Sequence, residues 1–289
     1  MVVHYCIRTI VSRKGNDVDI GEASKRAVIN DEELEFWDFG SGPAILFIHG
    51  GMGEECAEVL KEPLLSSRFR LIHFQRRGYG NSACSEMPVS VQQHARDGMA
   101  LLAHLGVDAA HVVGQSYGGA VSLQLALQAP GLVQSLTVAE PPLPTVIFAS
   151  TEFAALGAQA GELYQNGEHD AAIELFGRAV VGEKDWDSFA ADWLSLWTGD
   201  ATIVFESDLV SLGVWNFGAA EAQEISQPVM SLVGIDTPDA FKNVADVLAE
   251  WIPQAENHVI PDSSHTIMQM NPSHAAQLIT DFVERHPIA

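Results

Sequence analysis

Ser116 stands in Gly114-Gln115-Ser116-Tyr117-Gly118-Gly119, directly after the apolar run His111-Val112-Val113 and before a helix-like stretch at residues 120–127. A G-x-S-x-G segment between a strand and a helix forces a turn too tight for side chains at the glycine positions. The serine is then held in a strained backbone conformation, its hydroxyl free at the carboxyl edge of a sheet and over the amino end of the next helix. Acyl transfer is the chemistry such a serine fits. That chemistry also needs a base, a carboxylate to orient the base, and amide donors for the developing oxyanion.

A base should follow a late strand. His265 does so in Ile260-Pro261-Asp262-Ser263-Ser264-His265, before Asn271-Pro272 opens the final helix. His258 lies inside that strand, and His274 and His286 lie at the two ends of the terminal helix, so they fit less well. The donors should come from the turn after the first buried strand. There His49-Gly50-Gly51-Met52-Gly53 lets backbone N–H groups approach a bound oxygen. Gly51 N–H and Tyr117 N–H form the expected oxyanion pair, and His49 is expected to orient the loop rather than to transfer protons.

Several elements must position these groups. Residues 26–39 alternate around Asn30-Asp31-Glu32 as an antiparallel hairpin would. The continuous apolar run at 44–48 reads as a strand buried on both faces, and a second buried strand follows at 69–74. Helical spacing at 89–105 precedes the serine's strand and helix, and 133–139 is the next strand. After a long interruption, 228–233 and 257–260 read as strands, and 239–251 and 273–285 as helices. Strands alternating with helices imply an α/β fold with a mostly parallel central sheet, helices on both faces, and ligand chemistry at the carboxyl ends of the strands.

The interruption, residues 143–225, has little strand pattern and holds four of the six tryptophans, Trp186, Trp193, Trp197 and Trp215. It reads as a helical cap in which Trp193 and Trp197 stack at i, i+4 and whose underside lines an apolar substrate pocket. The expected division is an N-terminal extension of unassigned role at 1–25, an α/β core at 26–142 and 226–289, and the cap at 143–225.

Composition narrows the function classes. The chain has 289 residues, with 38 acidic against 15 basic side chains, a formal charge of -23. Such a balance repels phosphate backbones and anionic bilayers, so neither nucleic-acid nor membrane partners are expected. Cys6, Cys56 and Cys84 form no CxxC pair and fit a reduced cytoplasm. No histidine or cysteine spacing matches a metal site, so no metal and no cofactor are expected. The expected partner is a small-molecule substrate, with a homo-oligomer left open.

His49-Gly50-Gly51, Arg77-Gly78-Tyr79-Gly80-Asn81-Ser82, the serine turn and the late His265 fall in the order found in the α/β-hydrolase family, which the chain resembles from about Val28 onward. The resemblance implies the α/β-hydrolase fold, with a cap inserted after the strand that follows the nucleophile. The second stretch is usually D-x-R-G-x-G-x-S and helps hold the sheet edge; Gln75 replaces its Asp, with an effect expected on local packing only. The orienting acid usually ends a G-x-x-D turn after the strand here at 228–233. This chain reads Gly234-Ile235-Asp236-Thr237, so a threonine holds the acid position, with Asp236 one residue early and Asp239 two residues late. Some dehalogenases and cofactor-free dioxygenases of the family carry the acid after the strand following the nucleophile, where this chain has Glu140 before Pro141-Pro142. Glu140 is the favoured acid and Asp236 the alternative.

A serine in place of an aspartate at the turn separates the chain from haloalkane dehalogenases and epoxide hydrolases, which need a carboxylate to form an alkyl ester. The expected function is hydrolysis of an ester, thioester or lactone of a small to medium apolar substrate through an acyl-serine intermediate. The same resemblance also covers carbon–carbon bond hydrolases, perhydrolases, cofactor-free dioxygenases and ligand receptors without turnover.

Overall fold

The structure is a computed structural model that describes residues 19–288. Most of the expected N-terminal extension, Cys6 included, lies outside the described residues. Lys25–Ile29 (β1) and Glu32–Gly40 (β2) form the expected hairpin. Its two-residue turn places both Asn30 and Asp31 at positive φ, 47° and 66°, the geometry that matches strand twist and that Asn and Asp tolerate best. The remaining strands are Ala44–Ile48 (β3), Arg70–Phe74 (β4), Ala110–Gln115 (β5), Val133–Ala139 (β6), Val229–Gly234 (β7) and Glu256–Ile260 (β8). They form one sheet in the order β1-β2-β4-β3-β5-β6-β7-β8, antiparallel at β1, β2 and β4 and parallel beyond.

The all-apolar β3 shows why the parallel strands lack alternation. Ile45 and Phe47 join one hydrophobic cluster, while Leu46 and Ile48 join the other. Both faces are therefore covered, as a parallel sheet requires. Helices Val91–His104 (α1) and Tyr117–Gln128 (α2) pack into the second of these clusters, and the terminal helix Pro272–Arg285 packs into the first through Ala275, Ile279 and Phe282. Arg77 clamps the hairpin turn to α1: its guanidinium donates to both Asp97 oxygens (2.6 and 2.8 Å) and to the Asn30 carbonyl (3.0 Å).

Between β6 and β7 the chain is helical. Thr151–Gln165 (α3), His169–Val181 (α4) and Glu183–Ile203 (α5) are followed by a π-turn at Val204–Asp208 and then Leu209–Val214 (α6). Trp186, Trp197 and Trp215 are buried. Trp186 and Trp197 meet edge to face, 5.3 Å between ring centroids, and a side chain at Gly177 would collide with the Trp186 ring. The expected Trp193–Trp197 stack involves a Trp193 side chain that lies outside the described residues. Trp215 ties the excursion to α2 by donating to Gln124 (2.8 Å). Among the described residues, no helix is long and apolar enough to cross a membrane.

Candidate active site

β5 pairs with β3 as far as Gly114 and with β6 as far as Gln115, and the chain then turns sharply at Ser116, with φ 53° and ψ -123°. Left-handed φ at a residue with a side chain costs of order 1–3 kcal/mol and survives only where the surroundings enforce it. Here they do. Ser116 N–H is held by the Ala139 carbonyl (2.8 Å). A Cβ on Gly118 would sit 2.0 Å from the Ile48 carbonyl oxygen, and one on Gly114 would sit 2.3 Å from the Gly118 oxygen. The spacing of the glycines thus follows from backbone crowding around the serine.

The loop after β8 brings His265 to that serine. Ser116 Oγ lies 2.8 Å from His265 Nε2, and His265 Nδ1 lies 2.6 Å from Glu140 Oε2. The two contacts fix the tautomer: Nδ1–H donates to the carboxylate, and Nε2 accepts from the hydroxyl. Phe241 covers the imidazole at 4.0 Å between ring centroids, and Gln115 holds the His265 carbonyl (2.6 Å). Glu140 follows β6 with φ 47° and is buried. A buried carboxylate needs donors, and it has two besides the histidine: Gly234 N–H (2.7 Å) and Thr237 Oγ1 (2.7 Å).

Asp236, the alternative acid, does not join this row. Its backbone N–H donates to the Ser263 carbonyl, while its half-exposed carboxylate faces Lys184 at 3.8 Å. The one-residue offset from the usual acid position turns it outward, and Thr237, which occupies that position, faces Glu140 instead. The role of Thr237 as a donor escaped the sequence reading, although the mismatch that marks it was visible there.

The His49–Gly53 loop faces the serine turn. His49 Nδ1–H donates to the Gly50 carbonyl (2.9 Å) and Nε2 accepts from Arg76 N–H (2.9 Å). Burial pushes its pKa well down, with the Arg76 charge adding to the effect, so it is a neutral loop brace. Arg76 Nη2 donates to the same Gly50 carbonyl at 2.6 Å. In a trans peptide C=O and N–H point opposite ways, so fixing the Gly50 carbonyl aims Gly51 N–H away from Arg76. Neither Gly51 N–H nor Tyr117 N–H donates to a described residue. Gln75 Nε2 braces Gly53 by donating to its carbonyl (3.0 Å).

Two further acids close on this loop, and neither was expected from sequence. Asp208, from the π-turn, forms a buried two-point ion pair with Arg76 (3.0 and 2.6 Å). Glu55 accepts from Gly50 N–H at 2.5 Å. Burial pushes the Glu55 carboxyl up to about 8, against the pull of that bond and of Arg76. The only sequence signal for Asp208 is a charge inside the apolar pattern Val204, Phe205, Leu209, Leu212.

Ser116, His265, Gly51 and Tyr117 open onto a cavity whose other walls are almost wholly apolar, including Ile147, Phe153, Phe176, Trp197 and Leu212 from the excursion and Phe241 from the core. Glu55 and Asp208 are its acidic edge. The chemistry of the walls suits an apolar acyl or alcohol group lying against a polar reacting corner.

Residues 43–271 match the family model described as alpha/beta hydrolase fold. A dihydrolipoyllysine-residue acetyltransferase component of an acetoin cleaving system from Pseudomonas putida is 32% identical over 130 residues, covering 44% of this chain and 35% of that protein. The chain thus spans only about a third of that relative's length. A pimeloyl-[acyl-carrier protein] methyl ester esterase from Aeromonas hydrophila is 27% identical over 257 residues, 85% of this chain and 97% of the esterase. Among solved structures, an N-acyl homoserine lactone degrading enzyme superposes with a TM-score of 0.72 at 23% identity, covering 90% of this chain and 100% of that one.

Proposed function

Because the chain belongs to the α/β-hydrolase family, we propose that it is a serine hydrolase that cleaves an ester, thioester or lactone of a small to medium apolar substrate. The observation that carries this reading is the hydrogen-bonded row from Ser116 through His265 to Glu140, in a cavity also lined by Gly51 and Tyr117, whose amides donate to no described residue. The methyl ester esterase, similar over nearly its whole length, is named for the same class of bond.

His265 Nε2 takes the Ser116 proton as Oγ attacks the acyl carbon. Glu140 stabilises the imidazolium that results, and Gly234 and Thr237 keep that carboxylate in place. Gly51 N–H and Tyr117 N–H receive the oxyanion, with Tyr117 at the amino end of α2, where the helix dipole favours negative charge. His265 then protonates the leaving group, and a water activated by the same imidazole releases the acyl group from Ser116. Residues 143–225 act as a cap that sets substrate range, since most apolar walls of the cavity come from it.

A fluorophosphonate probe tests the assignment. It should add once per chain, at Ser116, and Ser116→Ala should lose both the label and the turnover of p-nitrophenyl acetate and butyrate. Labelling that persists in the Ala variant excludes Ser116 as nucleophile. Ligand-induced stabilisation of the wild type without turnover of any ester, thioester or lactone would favour a receptor.

A further inference from the structure

Arg76 sits at the centre of the loop that faces the serine, and all five of its N–H donors have partners. Nη1 donates to Asp208 Oδ1 (3.0 Å) and His94 Nε2 (3.2 Å), Nη2 to Asp208 Oδ2 (2.6 Å) and the Gly50 carbonyl (2.6 Å), and Nε to the His49 carbonyl (3.3 Å). The guanidinium carbon lies 4.6 Å from the Tyr79 ring centroid and 4.3 Å from that of Tyr117. A guanidinium so enclosed cannot turn without breaking several of these contacts at once.

One of those contacts sets the Gly50–Gly51 peptide plane, and Tyr117 carries the second amide of the oxyanion pair. Asp208 alone among the charged partners of Arg76 belongs to the helical excursion. It closes the π-turn at Val204–Asp208, a widened turn of the kind that re-aims a side chain at functional sites. Its Oδ2 also accepts from the Tyr79 hydroxyl (2.8 Å). The same helical run is pinned to the core on either side, because Ser207 Oγ accepts from Val89 N–H (2.9 Å) and Ser211 Oγ donates to the Val89 carbonyl (2.8 Å).

We propose that Asp208 is a positioning residue: by holding Arg76, which shares the Gly50 carbonyl with His49, it completes the hold on that carbonyl and presents Gly51 N–H to the oxyanion when the helical excursion is seated. This inference rests on the ester-hydrolase reading for the identity of the oxyanion. The excursion then does more than shape the pocket. Its seating and the stabilisation of the transition state become one event, carried by two contacts, Asp208 to Arg76 and Arg76 to the Gly50 carbonyl, and by the peptide plane that ends in Gly51 N–H. An ion pair that merely braced the fold would affect stability and leave the chemical step unchanged.

Asp208→Asn keeps the shape and removes the charge that anchors Arg76. Its kcat on p-nitrophenyl butyrate should fall about 100-fold, as loss of one oxyanion donor does, with KM changed less than about twofold. Tyr79→Phe keeps the ring, leaves Asp208 Oδ2 with Arg76 as its remaining donor, also removes the hydroxyl's contact with the Gly51 carbonyl (3.3 Å), and should lower kcat about fivefold; it preserves the kinetic measurement should the Asn variant fail to fold. A boronic acid that mimics the tetrahedral intermediate should lose affinity in proportion to kcat/KM in each variant. The Gly51 amide resonance reads the loop without any substrate and should shift in Asp208→Asn, which changes no direct contact of Gly51. Unchanged kcat in both, or an unmoved Gly51 resonance, overturns the proposal. A shifted Gly51 resonance in a protein whose wild type hydrolyses no ester supports the tether and overturns the ester-hydrolase reading instead.

Discussion

Glu55 is 3% exposed, and its carboxyl titrates near 8 rather than at the ordinary 4.5 because burial disfavours the anion. Between those two values the native protein keeps a proton that the unfolded chain releases. Stability therefore falls as pH rises through this window, and the loss is complete above about 8. Each pH unit inside the window removes about 1.4 kcal/mol, so going from about pH 5.5 to 7.5 removes about 2.7 kcal/mol. Glu55→Gln retains an oxygen to accept from Gly50 N–H and has no proton to lose. Urea unfolding of both proteins at about pH 5.5, 6.5 and 7.5 gives the comparison, since other titrations cancel in the difference. The variant should gain on the wild type by about 1.4 kcal/mol per pH unit. Parallel pH dependences would refute the reasoning, for they would mean that the cavity solvates the carboxylate well enough to hold it at its ordinary value.

Three other outcomes are expected. Glu140→Gln should cut turnover by up to about 10⁴-fold, while Asp236→Asn leaves it near wild type; the reverse order in steady-state kinetics would move the acid to Asp236. Thr237→Val removes a charge-assisted bond from Glu140 and should lower kcat about tenfold without preventing fluorophosphonate labelling of Ser116. Trp197→Ala enlarges the apolar cavity and should shift preference toward longer p-nitrophenyl acyl chains by about 1–3 kcal/mol in relative kcat/KM; equal losses on every chain length would contradict its place in the wall.

The strands and the reacting corner were legible because local chemistry leaves marks there. The apolar run of β3, the Asn30-Asp31 turn and the glycines around Ser116 each reflect a constraint imposed within a few residues. Glu140 was legible only through its station at the end of β6, since nothing local separates it from a solvated carboxylate. Arg76 left no readable mark and Asp208 only a charge within an apolar pattern, because they are 132 positions apart and their meaning lies in a contact made across that separation. Glu55 was missed for a related reason. Its unusual proton affinity comes from burial under a loop, and sequence spacing does not encode burial at a loop. One-turn helices such as Ala57–Leu60 and Ile267–Met270 are likewise too short to show a period.

Thr237 lies 2.7 Å from Glu140 Oε2, the same oxygen that meets His265. In the family pattern position 237 is where the acid usually stands, so the two sites for that acid converge on one imidazole nitrogen. An aspartate introduced at 237 while Glu140 remains would set two carboxyl groups within hydrogen-bonding reach, where both cannot ionise and one proton must be shared. Adding a second acid at 237 would therefore weaken, rather than reinforce, the carboxylate that meets His265. A threonine at 237 avoids that conflict: it fills the second acid's place with a neutral donor to the first.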